Sequence, residues 1–246
     1  MQAIISFAST FRNGSKFVFG NVYDSDYKDR THDRAETSLD IQYMVLMGSG
    51  IPTDYISSLS NYDGFLIDFF VQLALLEKDK SNVVPLLYSI SYGADEVEVG
   101  SIFISICDNH FMIMNLTGKT VFITSGDSGT SSFDTKYLPP QTYFNRFNRA
   151  YPDISLVAHQ YQIKLLGNND IFFDGTSASS SALAGFVSLV VDQRLRLGKK
   201  SQDLLNPLLY SIAVRYPAAF YDVTTGNITC NTSPTCCRYG FIAEKQ

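Results

Sequence analysis

Short apolar runs alternate with longer amphipathic stretches along the chain, and the alternation predicts its elements. Ala3–Phe7, Pro85–Ser91 and Thr120–Thr124 are brief and rich in β-branched and aromatic residues, as buried strands are. Asp33–Met47, Gly64–Glu77 and Ala178–Leu197 instead place their apolar residues at helical spacing. Strands separated by helices predict an α/β fold, a parallel sheet with helices on both faces. In such sheets the working residues gather at the carboxyl ends of strands. Ser91-Tyr92-Gly93 and Ser125-Gly126-Asp127-Ser128-Gly129 occupy such ends. There is no internal repeat and no low-complexity tract, so a single domain over residues 1–246 is expected.

Composition narrows the partners. Hydrophobic residues make up 45% of the 246 and charged residues 17%, which describes a globular chain able to bury a core. A net charge of −5 with no Lys/Arg cluster argues against nucleic acid. Lys199-Lys200, the densest basic spot, reads as a solvated helix end. The longest apolar run, Ala182–Val191, is about half of the ~20 residues a membrane helix needs, so no membrane partner is expected. Cys230, Cys236 and Cys237 crowd the C-terminus while Cys107 stands alone. No histidine or further cysteine nearby completes a zinc set, so a disulfide-bearing terminal loop is the better reading. Sequons at Asn13, Asn115, Asn227 and Asn231 lean the same way, towards a secretory or lysosomal ancestry. No signal peptide precedes Ala3–Phe7, so the sequence is expected to lack its true N-terminus.

The chemistry centres on Asp174-Gly175-Thr176-Ser177-Ala178-Ser179, which opens a helix. A serine there faces the helix's unpaired N–H groups and positive dipole end, which suits both an acyl-transfer nucleophile and an oxyanion. A plain N-cap explains the same residues. Glu36 and Asp40 stand four apart on the Asp33–Met47 helix and so share a face. Two like charges at that spacing repel unless they share a proton or serve a site. An exposed acidic face competes, although Leu39, Ile41, Tyr43 and Met44 beside Asp40 favour its partial burial. Asp127 lies in a turn after a strand, where an ordinary turn carboxylate is the alternative.

Two histidine-based schemes fail on context. Gly126-Asp127-Ser128-Gly129 superficially matches the nucleophile turn of chymotrypsin-like proteases, which would make Ser128 catalytic. That fold is all-β and needs an upstream histidine in an Ala-Ala-His-Cys-type setting. Subtilisins carry a similar Gly-Thr-Ser turn but need a helix starting at His-Gly-Thr/Ser. His32, His110 and His159 have neither context.

Without histidine the base must be a carboxylate, and several segments resemble the sedolisin (serine-carboxyl peptidase) family. Ala35-Glu36-Thr37-Ser38-Leu39-Asp40-Ile41-Gln42-Tyr43 resembles that family's Glu-Ala-Ser-Leu-Asp-Val-Gln-Tyr helix. Ser89-Ile90-Ser91-Tyr92-Gly93 resembles its Ser-Val-Ser-Tyr-Gly strand end, and Thr124–Gly129 its oxyanion-aspartate turn. Asp174–Ser179 is similar to its Ser-Gly-Thr-Ser-Ala-Ser nucleophile turn. Arg149–Asp153, Leu205–Tyr210 and Phe220–Thr224 follow in the family's order. The resemblance implies a subtilisin-like sheet and a peptidase acting on peptides or proteins, as an endopeptidase or tripeptidyl-peptidase. It makes Ser177 the nucleophile, Glu36 the general base, Asp40 the partner holding Glu36, and Asp127 the oxyanion group with the Ser177 N–H. An ordinary carboxylate base, with a pKa near ~4.3, suits acid rather than neutral pH. Asp127 can donate only while protonated, which again asks for acid or burial. A lysosomal or extracellular location follows from the same resemblance.

The departures are equally specific. Between Phe133 and Leu138 the chain passes almost directly from the oxyanion turn to a Leu-Pro-Pro stretch, so a mid-domain segment of the family pattern is expected to be missing. Ser181 stands where the family has a proline after the nucleophile turn. Asp222 and the Val223 carbonyl match the first ligands of the family's calcium site, but the loop bearing the rest has no counterpart before Gln246. Ca²⁺ takes six to eight oxygens, so binding is expected to be weak or lost. The competing reading is an inactive or truncated sedolisin-like pseudoenzyme.

Overall fold

The computed structural model describes residues 19–23, 34–56, 64–79, 84–93, 99–127, 129, 151–165, 169–202, 204–227 and 243. They fall into two compact units, Met1–Thr124 with Leu156–Leu204, and Ser125–Ser155 with Leu205–Gln246. The expected strand at Ala3–Phe7, the Phe133–Leu138 junction and the terminal cysteine cluster lie outside the described residues.

In the first unit two β-α-β crossovers build parallel pairs. Strand β1 (Phe19–Tyr23) runs through helix α1 (Arg34–Met47) to β2 (Thr53–Ile56) and pairs with it in parallel. After α2 (Phe65–Lys78), strand β3 (Leu87–Ile90) crosses through α3 (Ser101–Leu116) to β4 (Thr120–Ile123). Their parallel register sets Tyr88 beside Val121 and Ser89 beside Phe122. The α/β expectation holds, with the strands at 85–91 and 120–124 and all three expected helices in place. An element the parallel plan did not foresee follows, an antiparallel hairpin of β5 (Tyr161–Leu165) and β6 (Asn169–Phe173). It leads directly into α4 (Thr176–Arg196).

Alternation along β3 sorts the layers, because successive side chains point to opposite faces. Tyr88 turns to one side, into a cluster with Phe70 and Leu73 of α2 and Cys107 and Met114 of α3. Its hydroxyl donates to the Pro85 carbonyl at 2.8 Å, which satisfies the polar end of a ring otherwise surrounded by hydrocarbon. Ser89 turns to the other side, where its hydroxyl meets that of Ser180 in α4 at 3.1 Å. Helices thus cover both faces of the β3–β4 pair. Cys107 is a free thiol in the first cluster, and burial, with a smaller push from Asp108, raises its pKa. A buried protonated thiol is a packing residue, not a nucleophile. The Asn115 sequon falls in the last turn of α3, where the side-chain amide donates to Phe111 O at 3.0 Å.

Helix α4 is lined with small residues. Ala178, Ser180, Ser181, Ala182, Ala184 and Gly185 are all buried, and they let α1 approach closely. An added Cβ at Gly185 would sit 2.5 Å from the Met44 carbonyl oxygen, and one at Gly48 would sit 2.7 Å from Ser188 Oγ. Only a hydrogen atom fits at such a crossing. A second apolar cluster of Leu39, Ile163 and Ala178 joins α1, β5 and α4 near the start of α4.

In the second unit, α5 (Asn206–Arg215) begins with Pro207 in its first turn, where the missing N–H costs no bond. A short 3-10 turn, Pro217–Ala219, follows it. The Tyr210 hydroxyl donates to the Asp153 carboxylate within this unit.

Candidate functional site

Gly175 sets the entry to α4. Its φ of 157° and ψ of 152° fall in a region essentially reserved for glycine. Its N–H donates to the Ala158 carbonyl at 3.0 Å, tying the turn to the segment before β5. Asp174 fastens the same segment. Its Oδ1 accepts from the Gln160 N–H at 2.6 Å and meets His159 Nδ1 at 2.9 Å. The Gln160 N–H first, and His159 second, hold the Asp174 carboxyl below the usual carboxylate range. The turn's anchor therefore stays ionised into acid. His159 is spent on this exposed clasp.

Gly175 occupies the cap position and makes no side-chain cap bond, so Ser177 is not the N-cap. It is the second residue of the helix, 7% exposed, with the unpaired N–H groups of the first turn around it. The plain-cap reading of the motif does not hold.

Helices α1 and α4 run in parallel along one seam. Asp40 Oδ1 accepts from Ser181 Oγ at 2.7 Å, Met44 meets Gly185 one turn on, and Gly48 meets Ser188 at the far end. One turn in the other direction stand Glu36 on α1 and Ser177 on α4, because both helices repeat nearly every four residues. Glu36 Oε1 is shielded from solvent. Asp40 also accepts from Ser91 Oγ at the end of β3, at 2.9 Å on the same oxygen. Burial pushes the Asp40 carboxyl up to about 7. The Ser181 bond opposes that shift, the neighbouring Glu36 charge adds to it, and the Ser91 bond opposes it. An exposed acidic face does not describe this pair.

Gln42 fixes the depth of α1. Its Nε2 donates to the Lys164 carbonyl and its Oε1 accepts the Lys164 N–H, both at 2.9 Å, so the side chain serves β5 as an extra strand partner. Tyr43 adds a bond from its hydroxyl to the Gln162 carbonyl at 3.0 Å.

The first unit thus brings Glu36, Asp40 and Ser177 to one seam. Asp127, Asp222 and Val223 belong to the second unit. Asp127 is exposed, in a turn opened by Gly126 at φ 89°. Asp222 and Val223 are exposed in an irregular stretch, and no group of three or more His, Cys, Asp or Glu among the described residues could hold a metal ion. Two donors do not fit Ca²⁺. What the sequence did not reveal is the role of Ser91 and Ser181, whose hydroxyls hold Asp40. Among the described residues no helix is long and apolar enough to cross a membrane.

No family model matches the chain. Over 270 aligned positions it is 27% identical to tripeptidyl-peptidase 1 of Dictyostelium discoideum, covering 85% of this chain and 43% of that protein. Human tripeptidyl-peptidase 1 is also 27% identical, over 78% of this chain and 44% of its own length. Physarolisin of Physarum polycephalum is 40% identical over 108 residues, 44% of this chain and 18% of that protein. The chain therefore spans less than half the length of these relatives. Among solved structures, Pseudomonas sedolisin, a serine-carboxyl proteinase complexed with pseudo-iodotyrostatin, superposes with a TM-score of 0.69 at 17% identity. The match covers 99% of this chain and 82% of that one, which shows a shared fold.

Proposed function

We propose that the chain is a sedolisin-type serine-carboxyl peptidase, as its similarity to tripeptidyl-peptidase 1 and physarolisin supports, and that it hydrolyses peptide bonds in acid through Ser177, Glu36, Asp40 and Asp127. One observation carries the reading: the Ser181–Asp40 bond that locks α1 against α4. With the two helices in that register, Glu36 and Ser177 fall level with each other one turn away.

The chemistry follows from the roles. Ser177 Oγ attacks the peptide carbonyl while its proton passes to Glu36, and the negative charge that develops on the carbonyl oxygen is met by the Ser177 N–H and by Asp127 in its neutral form. When the intermediate collapses, Glu36 returns the proton to the departing amine and the acyl group stays on Ser177 Oγ. Water, giving its proton to Glu36, then attacks that ester, and Glu36 passes the proton back to Ser177 Oγ as the acid leaves. A neutral Asp40 donates to Glu36 throughout and keeps it the anionic member of the pair, which is the form a base needs. Burial favours that arrangement, since it costs less to bury one shared charge than two. The substrate is a peptide or protein, cleaved internally or as amino-terminal tripeptides, in a lysosomal or extracellular compartment. Calcium enters no step.

Peptide hydrolysis between pH 3 and 7 tests the reading. Wild-type protein is expected to show a maximum on the acid side, and Ser177→Ala to fall by on the order of 10⁶-fold, as removal of a serine nucleophile does. A wild type inert across the range, or a Ser177→Ala variant that keeps its rate, contradicts the proposal.

A further inference from the structure

Two hydroxyls from different elements converge on one oxygen of Asp40. Ser91, at the end of β3, reaches Oδ1 at 2.9 Å, and Ser181, on α4, reaches the same atom at 2.7 Å. Neither has a part in the bond-breaking steps above. A carboxyl oxygen offers two lone-pair directions, and these two donors occupy both. A proton could settle on Oδ1 only by displacing one of them. We propose that Ser91 and Ser181 are positioning residues that confine the Asp40 proton to Oδ2 and so direct it at Glu36.

The inference rests on the peptidase reading, in which Glu36 is the base. Proton accounting is closed within the site. Asp40 keeps its own proton on Oδ2 while Glu36 takes the Ser177 proton and later releases it to the amine. Among the described residues, Glu36 is the charge that acts on Asp40. On its own helix Asp40 is faced by Glu36. Helix α4 and strand β3 present hydroxyls, those of Ser181 and Ser91. On β5, packed against α1, the Lys164 ammonium is held by Asp170 at 2.6 Å, and on β2 Asp54 acts on Tyr88. With a carboxyl that burial raises to about 7, the proton is present throughout the acid range in which the enzyme is expected to work.

Infrared difference spectroscopy of the full chain reads the position of that proton without reference to activity. The carbonyl band of neutral Asp40 is assigned by its loss in Asp40→Asn. If the proton is on Oδ2, the double bond is to Oδ1 and is weakened by both donors. Ser91→Ala and Ser181→Ala should each move the band to higher wavenumber, and Ser91→Thr, which keeps the hydroxyl, should leave it in place. In peptide hydrolysis the same alanine variants should lower kcat by about tenfold with KM held, and Ser91→Thr should restore it. Ser181 is fully buried and Ser91 only partly, so Ser91→Ala decides alone if Ser181→Ala does not fold. A band that does not move in Ser91→Ala overturns the proposal. A wild type that hydrolyses no peptide overturns the peptidase reading instead, and the band still decides where the proton sits.

Discussion

Adding a single methyl at Gly185 is expected to destabilise the protein by about 1–3 kcal/mol, and a valine there by more than that. The reason is where the new atom would land. A Cβ at Gly185 meets the Met44 carbonyl oxygen at 2.5 Å, the Met47 Cβ at 2.9 Å and the Gly48 nitrogen at 3.0 Å. Two of the three are backbone atoms and the third is fixed to one, so no rotamer change relieves the overlap. The helices must move apart. Because the same seam carries Asp40 against Ser181, movement there also displaces Glu36 from Ser177. A misplacement of about 1 Å costs on the order of 10²-fold in rate. Gly185→Ala should therefore lose more activity than its residual folded population explains. Urea unfolding and kcat on the same samples check both parts. Gly93→Ala is the control, since an added methyl there meets nothing within 4 Å, and its stability should stay within about 0.5 kcal/mol of wild type.

Glu36→Gln is expected to lower kcat by about 10²–10⁴-fold at acid pH with little change in KM or stability. Glutamine keeps the shape and the polar contacts of the shielded side chain but cannot accept the Ser177 proton. The pH dependence separates this from a general loss of structure. Asp40, raised to about 7, carries its proton below that value and loses it above, so at higher pH two carboxylates face each other and the support for Glu36 turns into repulsion. Wild-type activity should therefore fall as pH rises towards and past 7. Asp40→Asn, which stays neutral and can still donate, should retain part of the rate and lose that contribution to the alkaline limb. A Glu36→Gln variant with wild-type kcat would remove Glu36 from the chemistry.

Much of the candidate site was legible in the chain because its residues stand at helical spacing. Glu36 and Asp40 four apart, and the turn Gly175-Thr176-Ser177 ahead of a run of small residues, carry their geometry with them once a helix is assumed. Strands β3 and β4 were equally plain, being short apolar runs that end at Ser or Gly turns. The hairpin of β5 and β6 was not, since its residues mix Gln162, Lys164 and Asp170 with apolar positions and resemble a surface loop. Helix α3 was missed because its exposed side is apolar too: Ile102, Ile113 and Leu116 blur the contrast on which periodicity depends. Ser181 registered only as a departure, a serine where the family carries a proline. A hydroxyl has no one-dimensional signature of what it faces, and its partner Asp40 lies 141 positions away in the sequence. The same limit hid Gln42, whose role depends on the depth at which α1 meets β5. The serine that first looked like a cap was resolved by one position, since Gly175 takes the cap and puts Ser177 inside the first turn.

The central claim is that Ser177 is an activated nucleophile in acid, and capture by an isotopically labelled peptide aldehyde tests it most directly. At about pH 4, where a carboxylate base is effective, carbon NMR of the wild type should show the aldehyde carbon converted to a hemiacetal. The signal should be absent in Ser177→Ala and strongly reduced in Glu36→Gln. An aldehyde that stays free with wild-type protein, or a hemiacetal that persists in Ser177→Ala, would contradict the account.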